Sequence, residues 1–220
     1  VIAQSRSDFT EQSLSRLAQI LLKNKENDKA IPVLSRLENE ADVSQNKTYA
    51  QSNLMKLYYN KKDYPNSGIY AEKVLMNPKA DDNVKSDAQI IIARAAIETG
   101  DEAKAKVAYA KVLAIAKGEL AAEALYYDAY FKNKEGKFEA SNAAVQKIAK
   151  NYSSYKYFGA KGLILMAKNF YGLKDSYQAT YILENVIQNF TDYPDVVSEA
   201  KTELNAIKTE EAKTNSSITK

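Results

Sequence analysis

A chain of 220 residues, 45% hydrophobic and 27% charged, with only 7 Gly and 4 Pro, has the composition of a helical protein and the length for one elongated array or two compact domains. The net charge of +3 is spread thinly and no run of five Lys/Arg occurs, which excludes the electrostatic footprint of a nucleic-acid binder. With no Cys and no His, thiol chemistry, imidazole acid–base work and the usual zinc ligands fall away together, and no apolar run approaches the ~18–20 residues that a spanning helix needs.

The first residues, Val1-Ile2-Ala3-Gln4, lack both an initiator Met and a signal-peptide pattern, so the start reads as processed or cut from something longer. Residues 1–9 form a lead-in whose end, Asp8-Phe9-Thr10-Glu11, has the form of a helix N-cap with Glu at the third position. From Thr10 to Phe190 the apolar residues recur with a helical period. The clearest unit is Gln89–Leu113, two short amphipathic stretches joined by Thr99-Gly100-Asp101. Ile92 and Ala96 share a face of the first stretch, and Ala105, Tyr109, Val112 and Leu113 share a face of the second. A lone hairpin cannot bury both stripes, so it needs neighbours like itself.

The chain supplies them. Ala30, Ser67, Ala105, Ser141 and Ala179, where the two helices of a pair should cross, are spaced by 37, 38, 36 and 38 residues. Ala18, Met55, Ala93, Ala129 and Ala167 on the first helices repeat the same spacings. Small residues here let helices approach closely, and Leu37, Val74, Val112, Ile148 and Val186, seven residues past each crossing, fill the space between hairpins. The turns near Lys25, Lys62, Gly100, Gly136 and Lys174 fall at one place in the repeat, and Pro65 and Pro194 fall where a first helical turn would begin. Pro32 fits less well unless its helix starts late. After Phe190, Asp192-Tyr193-Pro194-Asp195 opens a last helix to about Glu211, with Val197, Ala200, Leu204 and Ile207 on one face, and residues 213–220 are expected to fray as a disordered tail.

These residues resemble the tetratricopeptide (TPR) repeat: a large apolar residue, a small one, an aromatic or Leu three further on, a Gly-Asp-like turn and a crossing Ala. Leu17-Ala18-Leu21 with Ala30 meets the pattern, as do Leu54-Met55-Tyr58 with Tyr64 and Ser67, Ile92-Ala93 with Gly100 and Ala105, and Met166-Ala167-Phe170 with Ala179. The resemblance implies an all-α, right-handed α-solenoid of about five helix-turn-helix repeats over 10–190, closed by a capping helix over 191–212. A period of 36–38 exceeds the usual 34 and predicts extended loops such as 77–83 and 151–157. The block Ala121–Phe138, with Asn151–Tyr155 and Gly162–Asp175, is similar to the C-terminal repeats of large multi-repeat TPR proteins of the Bacteroidetes, and more distantly to envelope lipoproteins of outer-membrane assembly. That implies a periplasmic or outer-membrane-associated portion of a longer protein, while the residues themselves leave a cytoplasmic setting open. The fourth repeat departs from the pattern, with Asp128 and Lys132 where Leu17 and Leu21 stand in the first. Either the helix is rolled so that Tyr126 and Tyr130 turn inward and the two form an exposed pair, or Asp128 is buried, at least partly, against a neighbour's hydroxyl or backbone.

Carboxylates are plentiful but mixed with Lys on helix faces, and Asp81-Asp82-Asn83 lacks the spacing of a calcium loop and reads as a helix start. No phosphate loop, nucleophile elbow or zinc-protease motif occurs, so the expectation is no catalysis, no metal and no cofactor. What remains is a binding surface. In TPR arrays the first helix of each pair lines a concave groove, which implies a ladder of Gln19, Lys56, Arg94, Tyr130 and Lys168, and one turn on Leu22, Tyr59, Ile97, Asn133 and Tyr171, joined by Tyr49, Tyr126 and Ile164. Three stacked cations with aromatic neighbours suit a protein segment carrying acidic residues. The carboxylate clamp for chaperone C-termini is not reproduced: Asn53 fits one position, but Gln19, Asp87 and Ile91 do not. Packing of the tyrosines between repeats is an equal reading of the same pattern, and a glycan-binding or envelope-tethering module using surface tyrosines is the other functional class.

Overall fold

The computed structural model describes residues 9–218, with side chains described to 213. All regular structure among these residues is helical: α1 (Thr10–Lys23), α2 (Asn27–Glu40), α3 (Ser44–Asn60), α4 (Tyr64–Met76), α5 (Asp82–Glu98), α6 (Glu102–Ile115), α7 (Gly118–Lys134), α8 (Phe138–Asn151), α9 (Lys156–Gly172), α10 (Ser176–Asn189) and α11 (Pro194–Ile218). They group into two compact units that divide between Val112 and Leu113, inside α6. In the first unit α2 packs on α1 and α3, and α5 on both α3 and α4. In the second, α9 packs on α7 and α8, and α11 on α9 and α10. Helices thus touch their neighbours in the chain and the next first helix along.

The two small-residue columns are the helix crossings. Every one of their ten members is fully buried, from Ala18 and Ala30 to Ala167 and Ala179. Where Ser replaces Ala, its hydroxyl is satisfied across the crossing: Ser67 Oγ donates to the Met55 carbonyl at 3.0 Å and Ser141 Oγ to the Ala129 carbonyl at 2.8 Å. Each bond joins one column to the other, and an unbonded hydroxyl there would cost about 1–3 kcal/mol. Leu37, Val74, Val112, Ile148 and Val186 are at most 1% exposed, and full burial of each stabilises by roughly 1.5–3 kcal/mol.

All five hairpin turns close in the same way. Residues 25, 62, 100, 136 and 174 have positive φ. Each donates its N–H to the carbonyl three residues back, and the next residue donates to the carbonyl five back, as in Lys25 to Leu22 at 3.0 Å and Glu26 to Leu21 at 2.9 Å. This is the Schellman closure, usually made by Gly. Only Gly100 and Gly136 follow that preference; Lys25, Lys62 and Lys174 hold the left-handed conformation at φ 59, 60 and 68°. An L side chain there costs roughly 1–2 kcal/mol, offset in part by a cation beside the helix C-terminus. Each Lys→Gly substitution at 25, 62 or 174 is therefore expected to raise stability by about 0.5–1 kcal/mol in urea melts, whereas Lys→Gly at helical, exposed Lys201 should lower it.

Four details differ from the sequence pattern. The connectors between hairpins are short, at 41–43, 77–81, 116–117, 152–155 and 190–193. The extra length of the period therefore lies in the 17-residue first helices α3, α5, α7 and α9 rather than in loops. Pro32 stands inside α2, which does not start late; the ring is exposed, so solvent can reach the Asp28 carbonyl that it leaves without a donor. Asp8 lies outside the described residues, and Phe9 caps α1 with no side-chain bond. Glu11 instead accepts from the N–H groups of Asp42 and Val43 at 3.1 and 3.2 Å and from Asn46 at 2.7 Å, closing the start of α3. Finally, α11 runs on to Ile218, past both Glu211 and the 212 boundary, as a stretch with no Gly or Pro to stop it allows. Its buried face is Val196, Ala200, Leu204 and Ile207, with Val197 half-buried. Asn205, one period after Ala167, is exposed.

Candidate binding face on the first helices

The helix period places the anticipated groove residues of the first unit on α1, α3 and α5. Lys56 is half-exposed and its Nζ lies 2.5 Å from Asp87 of α5. Tyr49 packs against the apolar cluster of α1, α2 and α3, and burial pushes its phenol pKa up. Tyr59 packs against the cluster around Met55 and Val74, its ring centroid 5.7 Å from that of Tyr64. Arg94 is half-buried and engaged in interactions of its own.

In the second unit seven rings follow one another across α7, α9 and Tyr193, the residue just before α11. The order is Phe131, Tyr130, Tyr127, Tyr126, Phe158, Tyr157, Tyr193, with successive centroids 5.1–6.3 Å apart and tilted or edge-on contacts. Tyr126 and Tyr130 belong to this run, half-buried and packed on the cluster around Ala129 and Val145. Tyr171 packs on the cluster of α9, α10 and α11. Ile164 is only 1% exposed and is a core residue rather than a groove residue, because its face of α9 meets α10 and α11.

The charges are compensated. Lys168 lies 2.9 Å from Glu203 and 3.7 Å from Glu199, both on α11, and Lys161 is bonded to Glu199 as well. Tyr157 donates its hydroxyl to Asp195 at 3.0 Å. Lys56 and Lys168 are therefore not free to take up acidic residues of a partner: Lys56 of α3 faces a carboxylate of α5, and Lys168 of α9 faces two of α11. Burial, then the nearby Glu199 charge, pushes the Tyr126 phenol pKa far up. Burial, then the bond to Asp195, pushes that of Tyr157 up to about 12. Asp128 falls between the two readings of the fourth repeat: it pairs with Lys132 at 2.7 Å, but the pair is not exposed, the Asp128 side chain being about two-thirds buried.

Asp87, Asp195, Glu199 and Glu203 were not among the anticipated site residues. The repeat period is the signal that finds two of them, because Tyr157 with Asp195 and Lys161 with Glu199 are pairs 38 residues apart. Behind this face Asn169, fully buried, donates to Ser141 Oγ at 2.8 Å and to Asn142 Oδ1 at 2.7 Å, and accepts from Asn133 at 2.7 Å. Asn133, anticipated as a groove residue, is thereby turned toward α9.

No protein-family model matches the chain, and no curated protein matches it. Among the described residues no helix is long and apolar enough to cross a membrane, and no group of three or more acidic side chains is placed to hold a metal ion.

Proposed function

We propose that the chain is a TPR-like α-solenoid, about five helix-turn-helix repeats in a right-handed superhelix capped by α11, and that it is a non-catalytic scaffold binding a protein segment along its first helices. The observation that carries this reading is the unbroken run of seven rings across α7, α9 and the connector before α11, a composition suited to recognition surfaces. Because Lys56 and Lys168 already hold carboxylates, the tyrosines and not the cations supply the affinity, and acidic residues of a partner would have to compete with Asp87, Glu199 and Glu203. The resemblance to envelope TPR proteins is what favours a cell-envelope setting. The test is a pull-down followed by comparison of wild type with Tyr127→Ala/Tyr130→Ala/Tyr193→Ala, once both are shown to melt alike. Loss of each anchoring ring should weaken binding about tenfold or more, and full affinity in the triple variant would move the site off this face.

A second reading, a glycan-binding or tethering module, is favoured by Tyr177 and Tyr181. They stand one turn apart on α10, 76% and 57% exposed. A screen of cell-wall glycans against Tyr177→Ala/Tyr181→Ala separates the two.

A further inference from the structure

In two hairpins the residue after the crossing residue reaches the first helix of the next hairpin. In the first hairpin it is Ile31, which packs against the apolar cluster that includes Leu57 of α3. In the fourth it is Asn142, bonded to Asn169 of α9 at 2.7 Å. In the second it is Gly68, and the residue of α5 in register with Leu57 and Asn169 is Ala95. The larger side chains that close this junction in the first and fourth hairpins are replaced by glycine and alanine.

A cleft of about 200 Å³ is left between α4, the C-terminal half of α5 and the start of α6. Its lining includes Pro65, Gly68, Ile92, Ala95 and Ala96 as apolar surface, with Glu72, Asp101 and Lys104 at its polar edge. Glu98 stands beside it, 3.3 Å from the hydroxyl of the lining residue Tyr64. Nothing in the fold asks for glycine at 68: its φ is not positive, and a Cβ built there meets nothing within 4 Å. Glycine inside a helix weakens the helix, and a local rule broken without internal gain marks a functional place.

We propose that this cleft receives one apolar side chain of a partner segment that carries a basic residue next to it. The volume is below the ~300–1,000 Å³ of small-molecule sites, so it suits a single side chain rather than a cofactor. The surroundings set the neighbour: Glu72, Glu98 and Asp101 against Lys104 leave the rim net negative, which favours Lys or Arg beside the apolar anchor. The site lies in the first unit and shares no lining residue with the tyrosine run, so it stands or falls separately from that reading.

The test is a displayed random peptide library panned on the whole chain, with Gly68→Ile and Ala95→Leu as comparison proteins. These two variants restore the side chains found at the equivalent positions 31 and 57. Gly68→Ile should melt no lower than wild type, because a Cβ at 68 meets nothing within 4 Å. Enriched peptides should carry an apolar residue beside Lys or Arg and should bind either variant about tenfold or more weakly than wild type, the effect of losing one buried apolar side chain. Enrichment of peptides that bind wild type and both variants equally, or no enrichment at all, would overturn the proposal. So would a large drop in melting temperature for both variants, since the cleft would then not be vacant space.

Discussion

Replacing Asn169 with Leu is expected to destabilise the second unit by about 2–3 kcal/mol. Its side chain is fully buried and makes three hydrogen bonds, to Ser141, Asn142 and from Asn133. A leucine of similar size removes all three at once. Asn133 and Asn142 are half-exposed and can turn to water, while Ser141 is fully buried and keeps its bond to the Ala129 carbonyl. The loss is therefore the net contribution of three hydrogen bonds at about 0.5–1.5 kcal/mol each, together with the misfit of a branched apolar group among amides. Urea melts of Asn169→Leu, and a double-mutant cycle between Asn169→Ala and Asn142→Ala, provide the measurement. A coupling energy of about 0.5 kcal/mol or more is expected for directly bonded residues; additive effects would show that the amides do not act together.

The second large effect is at the crossings. Ala105→Leu or Ala179→Leu should cost roughly 1–3 kcal/mol, because each alanine is fully buried where two helices approach and the added methyl groups must push them apart. Ala143 provides the control. It lies on α8, two residues after Ser141, and is exposed, so Ala143→Leu should stay within about 0.5 kcal/mol of wild type. Equal effects at all three positions would mean that the small-residue columns are not where the helices cross.

The crossings were legible in the sequence because a helix contact demands a small residue at a fixed place and a large one seven residues on, and both demands recur with the period. The hairpin turns were legible as positions but not as conformations. Lysine gives no sign of positive φ by its type, and only its register with Gly100 and Gly136 reveals that Lys25, Lys62 and Lys174 share their geometry. The candidate face was read less well. Following a column of cations along successive helices finds Lys56 and Lys168 but not Asp87, Glu199 or Glu203, since the carboxylate that answers each cation sits on the next first helix and up to two turns off the column. Of the ring run only Tyr126 and Tyr130 were anticipated; Tyr127, Tyr157 and Tyr193 were not, and the half-burial of the rings follows from neighbouring hairpins that a single helix pattern does not display. The cleft at Gly68 was invisible for the opposite reason: it is an absence, and it stands out only when the five copies are laid on one another.

Packing in which helices touch their neighbours in the chain, and α3, α7 and α9 also the next first helix, has a kinetic consequence. The residues brought together are seldom farther apart along the chain than one repeat, as in the pairs 12, 31 and 38 residues apart described above. Closing such short loops costs little chain entropy, and that cost grows only slowly with length. A nucleus can therefore form at any hairpin within a unit and grow by addition of neighbours. The search for the native state is local, of the kind that gives helical proteins of low contact order their fast folding.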